Sequence, residues 1–95
     1  MNTEMINRIE ILQTGELFVG VQGSGTPGYQ YVYRDAAGVS WDEEKKGFKS
    51  TPMVDWGAAK WLEHIRSVVN SVGVSLILGK KISLVGVEKS ELFED

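Results

Sequence analysis

At Ser50-Thr51-Pro52 the hydrophobic period of this chain changes from two to about 3.6, and that switch limits the fold more than any other feature. Before it, Ile9 and Ile11 alternate with Arg8 and Glu10, and Leu17, Val19 and Val21 resume the pattern after Thr14-Gly15. A period of two sends successive side chains to opposite faces, so these two runs predict a hairpin with one buried face. Tyr29, Tyr31 and Tyr33 alternate with Gln30, Val32 and Arg34 in a further extended run. Asp35-Ala36-Ala37-Gly38 has the acid-first, glycine-last pattern of a type I turn, and Val39 and Trp41 lead the next strand. The charged stretch 42–47 then connects to Phe48, which pairs with Trp41 across a second hairpin, a contact worth about 0.2–1 kcal/mol.

After the switch, Ala58, Leu62, Ile65, Val69 and Val72 fall on one arc of a helical wheel, widened by Ala59, Trp61 and Val68. Lys60, Glu63, His64, Ser67, Asn70 and Ser71 occupy the remainder. Ser50 or Thr51 caps this helix with Pro52 in its first turn, or Asp55 caps it one turn later, and Gly73 ends it. Residues 74–78 and 81–87 read as two more strands, joined at Gly79-Lys80 in a tight hairpin.

The expected fold is therefore α+β: an antiparallel, twisted sheet of five to seven strands with one helix, about 54–72, on one face, in the order ββββ(β)αββ. The chain forms one domain, residues 1–95, with an acidic tail over 88–95 that frays or adds a turn of helix. The expected core is Ile9, Ile11, Leu17, Val19, Val21, Leu62, Ile65, Val69, Leu76, Leu78, Ile82 and Leu84.

Composition narrows the function classes. Ninety-five residues with a net charge of −3 suit one soluble domain, and the charges are spread evenly along the chain rather than gathered into a basic stripe. Nucleic acid is therefore not an expected partner, because phosphate neutralisation needs such a stripe. No cysteine is present, which excludes disulfides, thiol nucleophiles and thiolate metal sites. The N-terminal segment lacks the basic, apolar and small-residue sequence of an export signal, and the apolar run near Val72 is broken by Gly73 and Ser75. A cytoplasmic protein without membrane contact is expected.

No motif assigns a catalytic residue, a metal ligand or a cofactor. Gly23-Ser24-Gly25-Thr26-Pro27-Gly28 satisfies G-x-G-x-x-G, but a dinucleotide loop opens a helix, and the residues that follow here alternate like a strand. A hairpin loop is the plainer reading. His64, the sole histidine, lies on the polar side of the helix without a carboxylate one turn away, as a surface histidine does. Asp42-Glu43-Glu44 lacks the alternate spacing of a calcium loop and reads as a solvated hairpin tip.

The aromatics remain. Tyr29, Tyr31 and Tyr33 share one strand face, where they either pack under the helix or along a sheet edge, or form an exposed recognition strip. Trp56 falls outside the apolar arc, so it folds back over the helix start, covers the sheet rim, or meets a partner. The leading expectation is a non-catalytic protein that binds another protein or a second copy of itself, through a sheet edge or through Tyr29, Tyr31, Tyr33, Trp41 and Trp56. The alternative is a small-molecule cleft between helix and sheet lined by Tyr33, Arg34 and Trp41. A small enzyme using tyrosine, carboxylates, arginine and His64 comes third.

The stretch YQYVYRDAAGVSWDEEKKGFKSTPMVDWGAAKWLEHI, residues 29–65, resembles small bacterial proteins carried on mobile integron gene cassettes. Such proteins share no common fold or activity. The resemblance implies a bacterial accessory protein and carries over no site residue.

Overall fold

The computed structural model describes residues 2–22, 38–42, 44–52, 56–71, 73–88 and 92. Along them run β1 (Asn2–Ile11), β2 (Glu16–Val21), β3 (Ser40–Asp42), β4 (Gly47–Pro52), α1 (Ala58–Ser71) and β5 (Val74–Val85). The strands form one five-stranded sheet in the order β3-β4-β2-β1-β5, with α1 packed against it. The glycine-rich loop 23–28 and the tyrosine run 29–33 expected from the sequence lie outside the described residues.

Both expected hairpins form. At the β1–β2 turn the Gly15 N–H donates to Leu12 O at 2.9 Å. Between β3 and β4, Trp41 stands opposite Phe48, with ring centroids 4.9 Å apart and planes tilted by 58°. The helix begins at Ala58, later than the position near 54 that its pattern suggests, and β4 continues through Pro52. Ser50 and Thr51 belong to the sheet, and the first helical hydrogen bond is donated by Trp61 N–H to Gly57 O at 3.1 Å. Gly57 is thus the N-cap residue. At the other end Gly73 takes a φ of +90° and donates to Asn70 O at 3.0 Å, the left-handed stop that glycine adopts without a Cβ penalty.

The sheet is mixed rather than wholly antiparallel. β1–β2, β2–β4 and β3–β4 are antiparallel, whereas β1 and β5 run parallel. Two antiparallel steps separate β4 from β1, so β4 and β5 also point the same way. The β4–α1–β5 connection is therefore a parallel crossover that passes over β2 and β1, where the sequence pattern predicted no crossover. The hairpin expected at Gly79-Lys80 is absent as well. One residue of β1, Asn7, stands opposite four of β5, residues 79–82, and this bulge divides β5 into two pairing segments. The chain order is accordingly four strands, a helix and two further extended segments.

One apolar row crosses all five strands at a single level: Trp41, Phe48, Val19, Ile9 and Leu84. Over this face α1 lays Ala58, Trp61, Leu62, Ile65 and Val69, all buried. Full burial of each large aliphatic side chain contributes about 1.5–3 kcal/mol. Ile9, Leu17, Val19, Val21, Leu62, Ile65, Val69 and Leu76 are buried as expected, and Ile11, Ile82 and Leu84 are partly so. Leu78 is not core. It pairs with Ile6 on edge strand β5, immediately before the bulge, and is 41% exposed. Ile6 enters the core in register with Val21 because one extra β1 residue, Asn7, separates the pairs Ile6–Val21 and Arg8–Gly20. Val87, just past β5, and Leu92 of the C-terminal tail are also buried.

A second β-bulge explains the one buried polar residue among those described. Ser50 and Thr51 together oppose Leu17, which costs the Leu17 N–H its ladder partner. Ser50 Oγ accepts that N–H at 2.8 Å and donates to Thr51 O at 2.6 Å, so the group is satisfied at 3% exposure. Ser50→Ala removes this acceptor and should lower stability in urea titrations by about 1–3 kcal/mol.

Phe18 points to the face opposite α1, yet it is only 3% exposed. Gly20 and Gly47 face each other across β2 and β4, and the Phe18 ring lies over the floor they leave. A Cβ on Gly47 would stand 2.5 and 2.6 Å from Phe18 ring carbons and 2.6 Å from the Val19 carbonyl oxygen. Gly47→Ala should therefore destabilise by about 1–3 kcal/mol, as overpacking does. Around Gly57 nothing lies within 4 Å of an added Cβ, and Gly57→Ser should stabilise by a few tenths of a kcal/mol through a better N-cap. Equal losses at both glycines in denaturant titrations would contradict this packing.

Candidate functional site

The sites proposed from sequence fall into two groups. Tyr29, Tyr31, Tyr33 and Arg34 lie outside the described residues. Trp41 and Trp56 lie within them, and each packs against its own chain. Trp41 is half-buried on the helix-facing row beside Phe48. Trp56 folds back over the helix start, one of the three positions expected for it. Its ring sits 4.8 Å from Trp61 and 5.2 Å from His64, and Lys60 Nζ lies 4.6 Å above its centroid.

Helical geometry creates this cluster. Trp61 and His64 are three residues apart on α1, so they share a face and their rings meet edge-on at 5.4 Å. Trp61 in turn reaches the sheet: its Cη2 would lie 3.1 Å from a Cβ on Gly38. Each tilted or edge-to-face pair contributes about 0.5–1.5 kcal/mol beyond area burial. The three rings lock the start of α1 onto the β3–β4 end of the sheet. His64 is thus half-buried beside two indoles rather than a plain surface histidine. Among the described residues no group of three or more His, Cys, Asp or Glu side chains is placed to hold a metal ion.

Open depressions occur among the described residues. One, of about 290 Å³, runs between α1 and β5 and is lined by Glu63, Arg66, Ser67, Asn70, Ser75 and Leu76. Another, of about 370 Å³, lies on the opposite sheet face and is bordered by Arg8, Glu10, Phe18 and Lys45. Arg8 is paired with Glu10 at 2.9 Å and Lys49 with Asp42 at 3.5 Å, so the charges on this face largely compensate one another.

The feature that sequence reasoning missed is the β5 edge. Among the described residues the exposed large hydrophobics are Met5, Ile77, Leu78 and Val85, all on β1 or β5. Met5 and Ile77 stand opposite each other in the parallel ladder. Ile77 lies between Leu76, which is 2% exposed, and Leu78, so the pleat turns it away from Leu76 and leaves it 39% exposed. The signal was present in Leu76-Ile77-Leu78: three consecutive apolar residues in one strand cannot all face one core. No helix among the described residues is long and apolar enough to cross a membrane.

Asp42 organises the hairpin tip on the charged face. Its Oδ1 accepts the Lys45 N–H at 2.9 Å, and its backbone oxygen accepts the Lys46 N–H at 2.8 Å where Lys46 turns left-handed at φ 59°. The Lys45 N–H above all, with help from Lys49 and the Glu44 N–H, holds the Asp42 carboxyl below its ordinary value of 3.8 against the opposing pull of desolvation. A carboxylate depressed in the folded state stabilises fully above its unfolded value, and that contribution is lost as pH falls through the folded one. Asp42→Asn should therefore destabilise at pH 7, and the difference from wild type should shrink below pH 3.8. Urea titrations at pH 7 and pH 3 measure it, and a pH-independent difference would remove the electrostatic explanation.

The comparisons with known proteins agree with the resemblance carried by residues 29–65. The family model described as Integron Cassette Protein Hfx_Cass5 matches residues 6–90. A solved structure of the integron cassette protein Hfx_Cass5, from the mobile metagenome of North West Arm Sewage Outfall, is 33% identical. That match covers 95% of this chain and 88% of the other, with a TM-score of 0.47. No curated protein matches. The family match runs from Ile6 on β1 through α1 and all of β5, and the chain belongs to the Hfx_Cass5 family of integron cassette proteins.

Proposed function

We propose that this protein is a non-catalytic bacterial accessory protein that works by binding another polypeptide chain, with the β5 edge as its recognition surface. One observation carries the reading: the exposed large hydrophobics of the described residues gather on β5 and the neighbouring Met5. An edge strand offers main-chain donors and acceptors along its free side, and a polypeptide in extended form is the natural complement. Flanking apolar side chains then supply affinity that the backbone alone lacks. Within the same reading the protein acts in the cytoplasm, which suits a chain without cysteine, and nucleic acid is not its partner.

A charge placed on this edge should weaken association. Ile77→Lys is expected to leave the circular-dichroism spectrum unchanged and to weaken strand binding or self-association in sedimentation velocity. Wild type that neither associates with itself nor takes up extended peptides at high concentration would end the proposal.

The groove between α1 and β5 supports a second reading, a small polar ligand held by Glu63, Arg66, Ser67, Asn70 and Ser75. A thermal-shift screen separates the two readings. A ligand at about 100 times its dissociation constant stabilises by roughly 2.7 kcal/mol, and Arg66→Ala should cancel that shift while Ile77→Lys leaves it intact.

A further inference from the structure

We infer that the strand paired on this edge is β5 of a second copy of the chain, joined antiparallel across a two-fold axis at Ile77; the inference rests on the reading of β5 as a recognition edge. The choice of occupant follows from what each available strand would place there. Among the described residues the far edge of the sheet is β3, three residues long, with Ser40 and Asp42 facing away from the helix side. Setting β5 against β3 of another copy would put Ile77 beside a serine or an aspartate. It would also be a head-to-tail contact, which propagates unless its rotation closes. β5 against β5 is isologous and closes at two copies.

The register follows from the same residues. The straight part of β5 before its bulge is Val74-Ser75-Leu76-Ile77-Leu78. It carries no charged side chain, so two copies bring no like charges together there. An antiparallel pair centred on Ile77 sets Ile77 against Ile77 on one face. On the other face it sets Leu78 of each copy against Leu76 of its mate. Both half-exposed side chains of the segment are then covered by apolar ones, with Met5 flanking the Ile77 pair. Centring on Leu76 instead would oppose Ile77 to Ser75.

The bulge limits the contact. At residues 79–82 the ladder shifts register, and a Cβ on Gly79 would meet Ile6 O at 2.9 Å, so the strand there is pressed against β1 and out of line. A paired segment of five residues spans only about 17 Å. Five residues a side is well short of the roughly 20–30 a side of a standard stable interface. The dimer is therefore reversible and concentration-dependent.

The cysteine-free chain permits a direct test with single introduced cysteines. Wild type should pass from monomer to dimer with rising concentration in sedimentation velocity, and Ile77→Lys should weaken the dimer about thirtyfold, the size of an interface hot spot. Under oxidation Ile77→Cys should cross-link to a dimer, whereas Ser83→Cys, on the same face beyond the bulge, should not. Cross-linking at position 83 and not 77 would overturn the register, as would a dimer insensitive to Ile77→Lys. A monomer at every concentration that nonetheless binds a synthetic peptide of residues 73–79 at β5 would sink the two-copy inference and leave the edge reading standing. A monomer that ignores the peptide would remove both.

Discussion

The row formed by Trp41, Phe48, Val19, Ile9 and Leu84 spans every strand of the sheet, and its burial beneath α1 is the interaction on which the rest of the structure depends. With that face covered, alternate residues must point to the other side, which places Arg8, Glu10, Phe18 and Lys49 together there. The helix also sets strand direction. Fourteen helical residues rise about 21 Å, close to the span of six extended residues, so α1 returns the chain to the end of the sheet where β4 began. β5 must then leave parallel to β4, and it finds its place beside β1 because β2 already lies between β1 and β4.

Local irregularities adapt the ladder to this burial. The extra β1 residue at Asn7 lets Ile6 and Ile9 face the helix although three positions separate them. The bulge at Ser50 and Thr51 frees one amide and supplies its acceptor from the serine itself. The bulge at residues 79–82 interrupts the edge strand, a device by which sheets restrain open-ended pairing. On the far face the glycines at 20 and 47 make room for a phenylalanine that would otherwise have no core to enter.

Much of this was legible residue by residue. Ile9 and Ile11 against Leu17, Val19 and Val21 gave the first hairpin, and Trp41 opposite Phe48 the second, because alternation and turn chemistry act over a few neighbouring positions. Gly73 marked the helix end for the same local reason. The helix start was less legible: Ser50 and Thr51 are good caps by residue type, but their backbone is held in β4, and tertiary pairing outweighed a preference worth about 1 kcal/mol. Trp56 offered three positions on a helical wheel. Choosing among them required knowing that Trp61 and His64 stood beside it in space.

The recognition edge shows where the two levels divide. The amino-acid sequence by itself determined the α+β class, the long helix with its apolar arc, and the presence of a surplus apolar residue in Leu76-Ile77-Leu78 that no single core face could absorb. Only the tertiary structure decided that this segment lies beside β1 in parallel, at the border of the sheet, rather than folding into a hairpin that would cover it. Periodicity reports which way a side chain turns relative to its own strand. Which strand becomes the neighbour is settled by long-range packing of the helix across the sheet, which no local pattern encodes.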